Sequence, residues 1–115
     1  MIKYTAMFLL FGLVTLLGTQ FACADSGDPA KGKAIYETRC VVCHGAQGKG
    51  DGPMGKALKP PPTDFTSPKG KTKSDTEWMK IIQDGLPSTT MPGYKGQLSE
   101  QQILDVLAYI RSLTK

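Results

Sequence analysis

Two cysteines and the chain's one histidine stand together as Cys40-Val41-Val42-Cys43-His44. On a helix, positions i, i+3 and i+4 share a face, so this spacing points both sulfurs and the imidazole the same way. Covalent haem attachment needs that arrangement, because two thiols add across two vinyl groups while the adjacent imidazole reaches the iron from the same side. Other uses of the motif fit less well. A structural zinc site wants four Cys or His ligands, and beyond residue 24 the chain offers two Cys and one His. A thioredoxin-like pair normally follows a strand, and no strand pattern precedes Cys40. A plain disulfide beside an incidental His is a further alternative. A hydrolase triad would have to use His44, with no Ser in a nucleophile motif nearby.

A haem iron held by His44 needs a second axial ligand, and a chain with no other His cannot supply an imidazole. The thioethers of Met54, Met79 and Met91 are the candidates. Met54 follows His44 by ten residues in a Gly-rich stretch, too near to wrap easily to the opposite haem face. Met79 sits beside Trp78 in a helical pattern, where filling the core is the simpler role. Met91 lies in the irregular run Leu86-Pro87-Ser88-Thr89-Thr90-Met91-Pro92-Gly93-Tyr94, with Pro92 stiffening the backbone that presents the sulfur. Met91 is therefore the expected ligand. With both axial positions filled there is no open site for substrate, which favours one-electron carriage over catalysis. Two rival readings are a subunit or docked partner of a larger oxidoreductase, and a haem sensor or peroxidase in which Met91 dissociates. Gln47, Lys49 and Asp51 follow His44 without forming an acid/base pair, which counts against peroxidase chemistry.

The elements that must hold these residues are short. At 115 residues and 12.4 kDa the chain has room for one domain. Lys3, a mostly apolar run over 6–17 and the small residues of Ala22-Cys23-Ala24 predict a cleavable secretory signal over residues 1–24. A retained anchor and an acylated Cys23 are the alternatives; Gln20 stands where a lipoprotein signal prefers Leu. Cleavage before Asp25 leaves 91 residues, and since Lys3 is the only charge removed the net charge falls from +4 to +3. Cys40 and Cys43 would then be the only cysteines, in an oxidising compartment. Asp28 with Pro29 opens a helix that meets no breaker through Cys43. Residues 45–73 carry six Gly and five Pro and read as loop, with a short helical turn at most over 53–58. Ser74 with Glu77, and Ser99 with Gln102, form capping boxes for helices from Asp75 to Asp84 and from residue 100 on. Ile103, Val106, Leu107, Ile110 and Leu113 make the buried stripe of the last helix.

Taken in order, these features resemble the small class I c-type cytochromes. Gly32, Tyr36 and Cys40 recur at steps of four before the motif, Met91-Pro92 with Tyr94 is similar to the family's axial methionine loop, and Asp105-Val106-Leu107-Ala108-Tyr109-Ile110 to its C-terminal helix. The resemblance covers residues 28–113. It implies an all-α fold of three main helices and long loops around one covalently bound haem c, with 25–115 as a single domain. It also implies that Gly32 and Tyr36 meet Val106 and Tyr109 where the first and last helices cross, and that a proline carbonyl receives the His44 ring N–H. Cys40, Cys43, His44 and Met91 would bind the haem, His44 and Met91 through the iron. The expected setting is periplasmic or otherwise exported, as a monomer without a membrane span after signal cleavage. Redox proteins, with acidic docking surfaces if the lysines steer them, are the expected partners; nucleic acid is not.

Overall fold

The computed structural model describes residues 26–115; the signal segment expected over residues 1–24 lies outside them. Five α-helices follow one another, α1 Pro29–Arg39, α2 Val41–His44, α3 Pro68–Thr72, α4 Asp75–Asp84 and α5 Glu100–Leu113, with a 3-10 turn over Gly55–Ala57. Among the described residues the only β-pairing is an isolated bridge between Lys95 and Leu98.

Local chemistry sets most of the helix starts. The Asp28 carboxylate accepts the Ala30 N–H at 2.9 Å and Pro29 occupies the first turn of α1. Reciprocal capping boxes open α4 and α5, at Ser74 with Glu77 and at Ser99 with Gln102. Two expectations need correction. The first helix does not run unbroken through Cys43: at Cys40 the hydrogen-bond ladder shifts, and the Cys43 N–H bonds the Cys40 carbonyl at 3.2 Å instead of reaching Arg39. The freed Arg39 carbonyl accepts the Tyr94 hydroxyl at 3.2 Å, so a contact from far along the chain stabilises the break. The loop after the motif also contains α3, which begins at a Ser67 cap followed by Pro68. The fold is all-α as expected, and the three main helices α1, α4 and α5 are joined by two short ones, α2 and α3.

Helices α1 and α5 cross at Gly32. A Cβ there would overlap the Asp105 carbonyl and come within 2.9 Å of the Val106 Cα, so the two backbones can approach only where the side chain is absent. Tyr36, fully buried, meets Tyr109 edge-on with ring centroids 5.2 Å apart, as the resemblance implies. Ile103, Val106, Leu107 and Ile110 are buried, whereas Leu113, expected in the same stripe, is only half-buried. Asp105 is buried too, and its carboxylate accepts the Asp28 N–H at 2.8 Å and Gln101 Nε2 at 3.0 Å, tying the start of α1 to α5. Each buried aliphatic side chain contributes about 1.5–3 kcal/mol. The exposed pairs Lys33–Glu37 and Lys80–Asp84 contribute a few tenths each, so packing holds the crossing.

Gly32→Ala tests this. Helix propensity favours alanine by about 0.5–1 kcal/mol, but overpacking against backbone costs about 1–3 kcal/mol, and the backbone of α5 has no rotamer to yield. The melting temperature of the holoprotein should fall by several degrees, at about 4–8 °C per kcal/mol for a domain of this size. An unchanged or higher value by thermal circular dichroism would show that the helices can separate at no cost.

Candidate haem site

A cavity of about 560 Å³ opens beside α2, within the range of about 300–1,000 Å³ usual for ligand pockets. Cys40, Cys43, His44 and Met91 all line it, together with residues 60–63 of the proline-rich loop and apolar side chains of α4 and α5.

Helix α2 has four residues and cannot satisfy its own carbonyls. The Gly-rich loop does it instead: the N–H groups of Met54, Gly52 and Gly50 bond the carbonyls of Val42, Cys43 and His44 at 2.9, 3.1 and 2.8 Å. Gly52 packs so tightly on the Val41 and Val42 carbonyls that a Cβ would overlap both. On the other side Tyr36 Oη donates to the Gly45 carbonyl at 2.6 Å, anchoring the end of the motif to α1.

The imidazole of His44 stacks on Phe65, with centroids 4.6 Å apart and planes 16° from parallel, and Phe65 in turn meets Trp78 edge-on at 5.1 Å. Burial lowers the His44 pKa, opposed by the neighbouring Thr63 backbone. The neutral ring this favours is the form with a lone pair for a metal. Nδ1 is buried and has no partner within hydrogen-bond geometry. The proline carbonyl implied by the resemblance is not found there; the backbone beside the ring belongs to Thr63, just after the three prolines. Burial, with a smaller push from Cys43 and an opposing one from Arg39, raises the Cys40 thiol to about 11. A redox-active C-x-x-C pair shows the opposite shift.

Met91 is held by its own loop. Its N–H bonds the Thr89 hydroxyl at 3.1 Å, that hydroxyl donates to the Leu86 carbonyl at 2.7 Å, and the Leu86 N–H bonds the Met91 carbonyl at 3.2 Å. The other two methionines lie elsewhere: Met79 packs half-buried against the core, and Met54 is 55% exposed. The structure therefore brings together all four residues singled out from the sequence. It adds Phe65, Trp78, Arg39 and Thr63, which the sequence reading did not assign to the site. Of these only Phe65 left a signal, as a lone aromatic in a stretch of Gly and Pro.

Two thiols, an imidazole, a thioether and mainly apolar walls are the donor set and surroundings that a haem requires. The orphaned Nε1 of Trp78 and Nδ1 of His44, both buried on residues that line the cavity, fit a site built around a further group. Helices packed around such a cradle define a haem-binding all-α protein. The cytochrome c family profile matches residues 29–114, and the chain belongs to that family. It is 35% identical over 95 residues to cytochrome c-554(547) of Halothiobacillus neapolitanus, covering 76% of this chain and 99% of the relative. Cytochrome c6 of a Synechococcus strain is 33% identical over 101 residues, covering 88% and 81%. Among solved structures, a chain of the Kuenenia stuttgartiensis reducing HAO-like protein complex superposes with a TM-score of 0.67 at 29% identity, covering 77% of this chain and 44% of that one. The cofactor is covalent haem c, with Cys40 and Cys43 in the spacing that attaches it.

The Phe65 platform depends on the turn before it. The Asp64 carboxylate accepts the Thr66 hydroxyl at 2.7 Å and the Thr66 N–H at 2.8 Å, bonds that lower its pKa from 3.8. A depressed folded-state value means that this stabilisation is present above the unfolded carboxylate range and is lost as pH falls through the folded value. Asp64→Asn should therefore lower the melting temperature at pH 7, and the gap to the unsubstituted protein should close towards pH 2. A gap that stayed constant across that range would remove the charge from the explanation.

Proposed function

We propose that the protein is an exported one-electron carrier in which His44 and Met91 are the axial ligands of a haem held through Cys40 and Cys43. The observation that carries this reading is that, of Met54, Met79 and Met91, only Met91 lines the cavity shared by Cys40, Cys43 and His44. Bound haem supplies a single-electron couple at its iron. The chain's part is positional. Burial keeps the His44 imidazole neutral, the Thr89 bonds fix the backbone of Met91, and Phe65 and Trp78 keep water from the wall. Filled axial positions leave nowhere for substrate to coordinate, so the role is carriage rather than catalysis.

Residues 1–24 act as the export signal in this reading, with a periplasmic or equivalent destination. No helix of the described residues is long and apolar enough to cross a membrane. The likeness to a chain of a reducing HAO-like complex, of which this chain spans under half, supports a second reading as a docked partner of a larger oxidoreductase. Both readings need a docking face. Arg39, Lys69 and Lys73 edge the cavity and Lys71 is exposed nearby, which suits an acidic partner.

The ligand assignment is tested on protein expressed with haem-attachment machinery, with intact mass checked for the 91-residue chain plus one haem. Met91→Ala should keep the haem but open the sixth position to water, giving a high-spin spectrum. Met91→His should lower the reduction potential, on the order of 0.1 V within the roughly 0.8 V that axial ligands command. A Met91→Ala protein that stays low-spin at unchanged potential would transfer the role to Met79 or Met54.

The charged rim is tested by kinetics. Steering by exposed charges acts over a Debye length of about 30 Å at 0.01 M salt but only about 8 Å at physiological strength. The second-order electron-transfer rate with an acidic redox partner should fall as salt rises, and changing Lys69, Lys71 and Lys73 together to Gln should flatten that dependence. A rate flat or rising with salt in the unsubstituted protein would point to an apolar contact instead.

A further inference from the structure

If Met91 is an axial ligand, the loop that carries it must be fixed relative to the segment that carries Cys40, Cys43 and His44, and one hydrogen bond connects the two directly. Tyr94, three residues after Met91 and 9% exposed, donates its hydroxyl to the Arg39 carbonyl at 3.2 Å across 55 residues of chain. That carbonyl is available because the Cys43 N–H, its partner in an unbroken helix, bonds Cys40. Arg39 and Tyr94 both line the cavity.

The backbone around Tyr94 is firmly docked. Its N–H and that of Lys95 bond the carbonyls of Ile82 and Gln83 at the end of α4, at 2.9 and 3.0 Å, and its carbonyl accepts the N–H groups of Gln97 and Leu98 at 2.9 Å. The bonds of Met91 itself, to Thr89 and Leu86, are internal to its loop. They shape the loop without tying it to α1 or α2, so the tie to the attachment segment passes through the Tyr94 hydroxyl.

We propose that Tyr94 is a positioning residue for the axial methionine: its hydroxyl on the Arg39 carbonyl locks the Met91 loop to the helix break that presents Cys40, Cys43 and His44. This inference rests on the axial reading of Met91. Removing the hydroxyl leaves the ring packed but unties the loop, and the state with Met91 withdrawn becomes more populated by about three- to tenfold, the usual worth of one net hydrogen bond. A competing ligand binds that state, so its apparent affinity rises by the same factor.

The experiment is an imidazole titration of the ferric holoprotein, followed by loss of the sulfur-to-iron charge-transfer absorption and by the change in the haem Soret band. Tyr94→Phe should lower the apparent dissociation constant about three- to tenfold. Asp28→Ala, which removes the cap at the far end of α1 and touches neither the cavity nor the Met91 loop, should lower the melting temperature without changing imidazole binding. Met91→Ala should bind imidazole more tightly than either. If Met91→Ala binds no more tightly than the unsubstituted protein, the axial reading of Met91 falls. If Met91→Ala does bind more tightly while Tyr94→Phe is unchanged, or moves no further than Asp28→Ala, Tyr94 only packs and the proposal is overturned.

Discussion

The approach of α1 and α5 at Gly32 is the constraint on which the other parts depend. Because no side chain separates the two backbones there, Tyr36 and Tyr109 can meet on one side of the crossing and Asp105 can reach the start of α1 on the other. Tyr36 then extends its hydroxyl to the Gly45 carbonyl, so the helix crossing also fixes where the attachment segment ends. Val106 and Ile110, presented by α5 through the same packing, become part of the cavity wall. A shift at this one glycine would thus reach the site through closely packed side chains.

What could be read from the sequence was whatever local chemistry decides. Helix starts are settled within four residues by a cap and its partner, so the boxes at Ser74 and Ser99 and the Asp28–Pro29 start locate α4, α5 and α1 without knowledge of the fold. The break at Cys40 was not legible, because its stabilising partners, Tyr94 and the returning loop, are brought to it only by tertiary structure. Helix α3 did have its signal, Ser67 before Pro68, but Gly70 and the prolines upstream made the stretch read as loop. The four site residues could be picked out for a different reason. A chain with one His and two Cys beyond its first 24 residues offers few ways to complete a haem site, and elimination replaces geometry. The wall around them followed no such count, since Phe65 is brought against His44, and Trp78 against Phe65, through packing alone.

The Gly-rich loop and the proline-rich loop divide the work of holding the imidazole. The first returns its N–H groups to the three carbonyls at the end of α2 and so fixes the backbone of His44. The second carries Thr63 and Phe65 against the ring and so fixes its plane. Small size makes this division necessary. With α2 only four residues long, neither helix propensity nor its own hydrogen bonds could hold a side chain in one orientation.

The apolar wall also has an electrical consequence. A haem bound in this cavity would face Trp78, Ile82, Val106 and Ile110, side chains that cannot reorient to solvate the extra positive charge of the ferric form. Such a wall would favour the less charged form and shift the couple upward, in the same direction as a thioether ligand would. An apolar wall would also leave little water to rearrange when an electron arrives or leaves. The packing that completes the hydrophobic core would thereby lower the solvent reorganisation that accompanies each transfer.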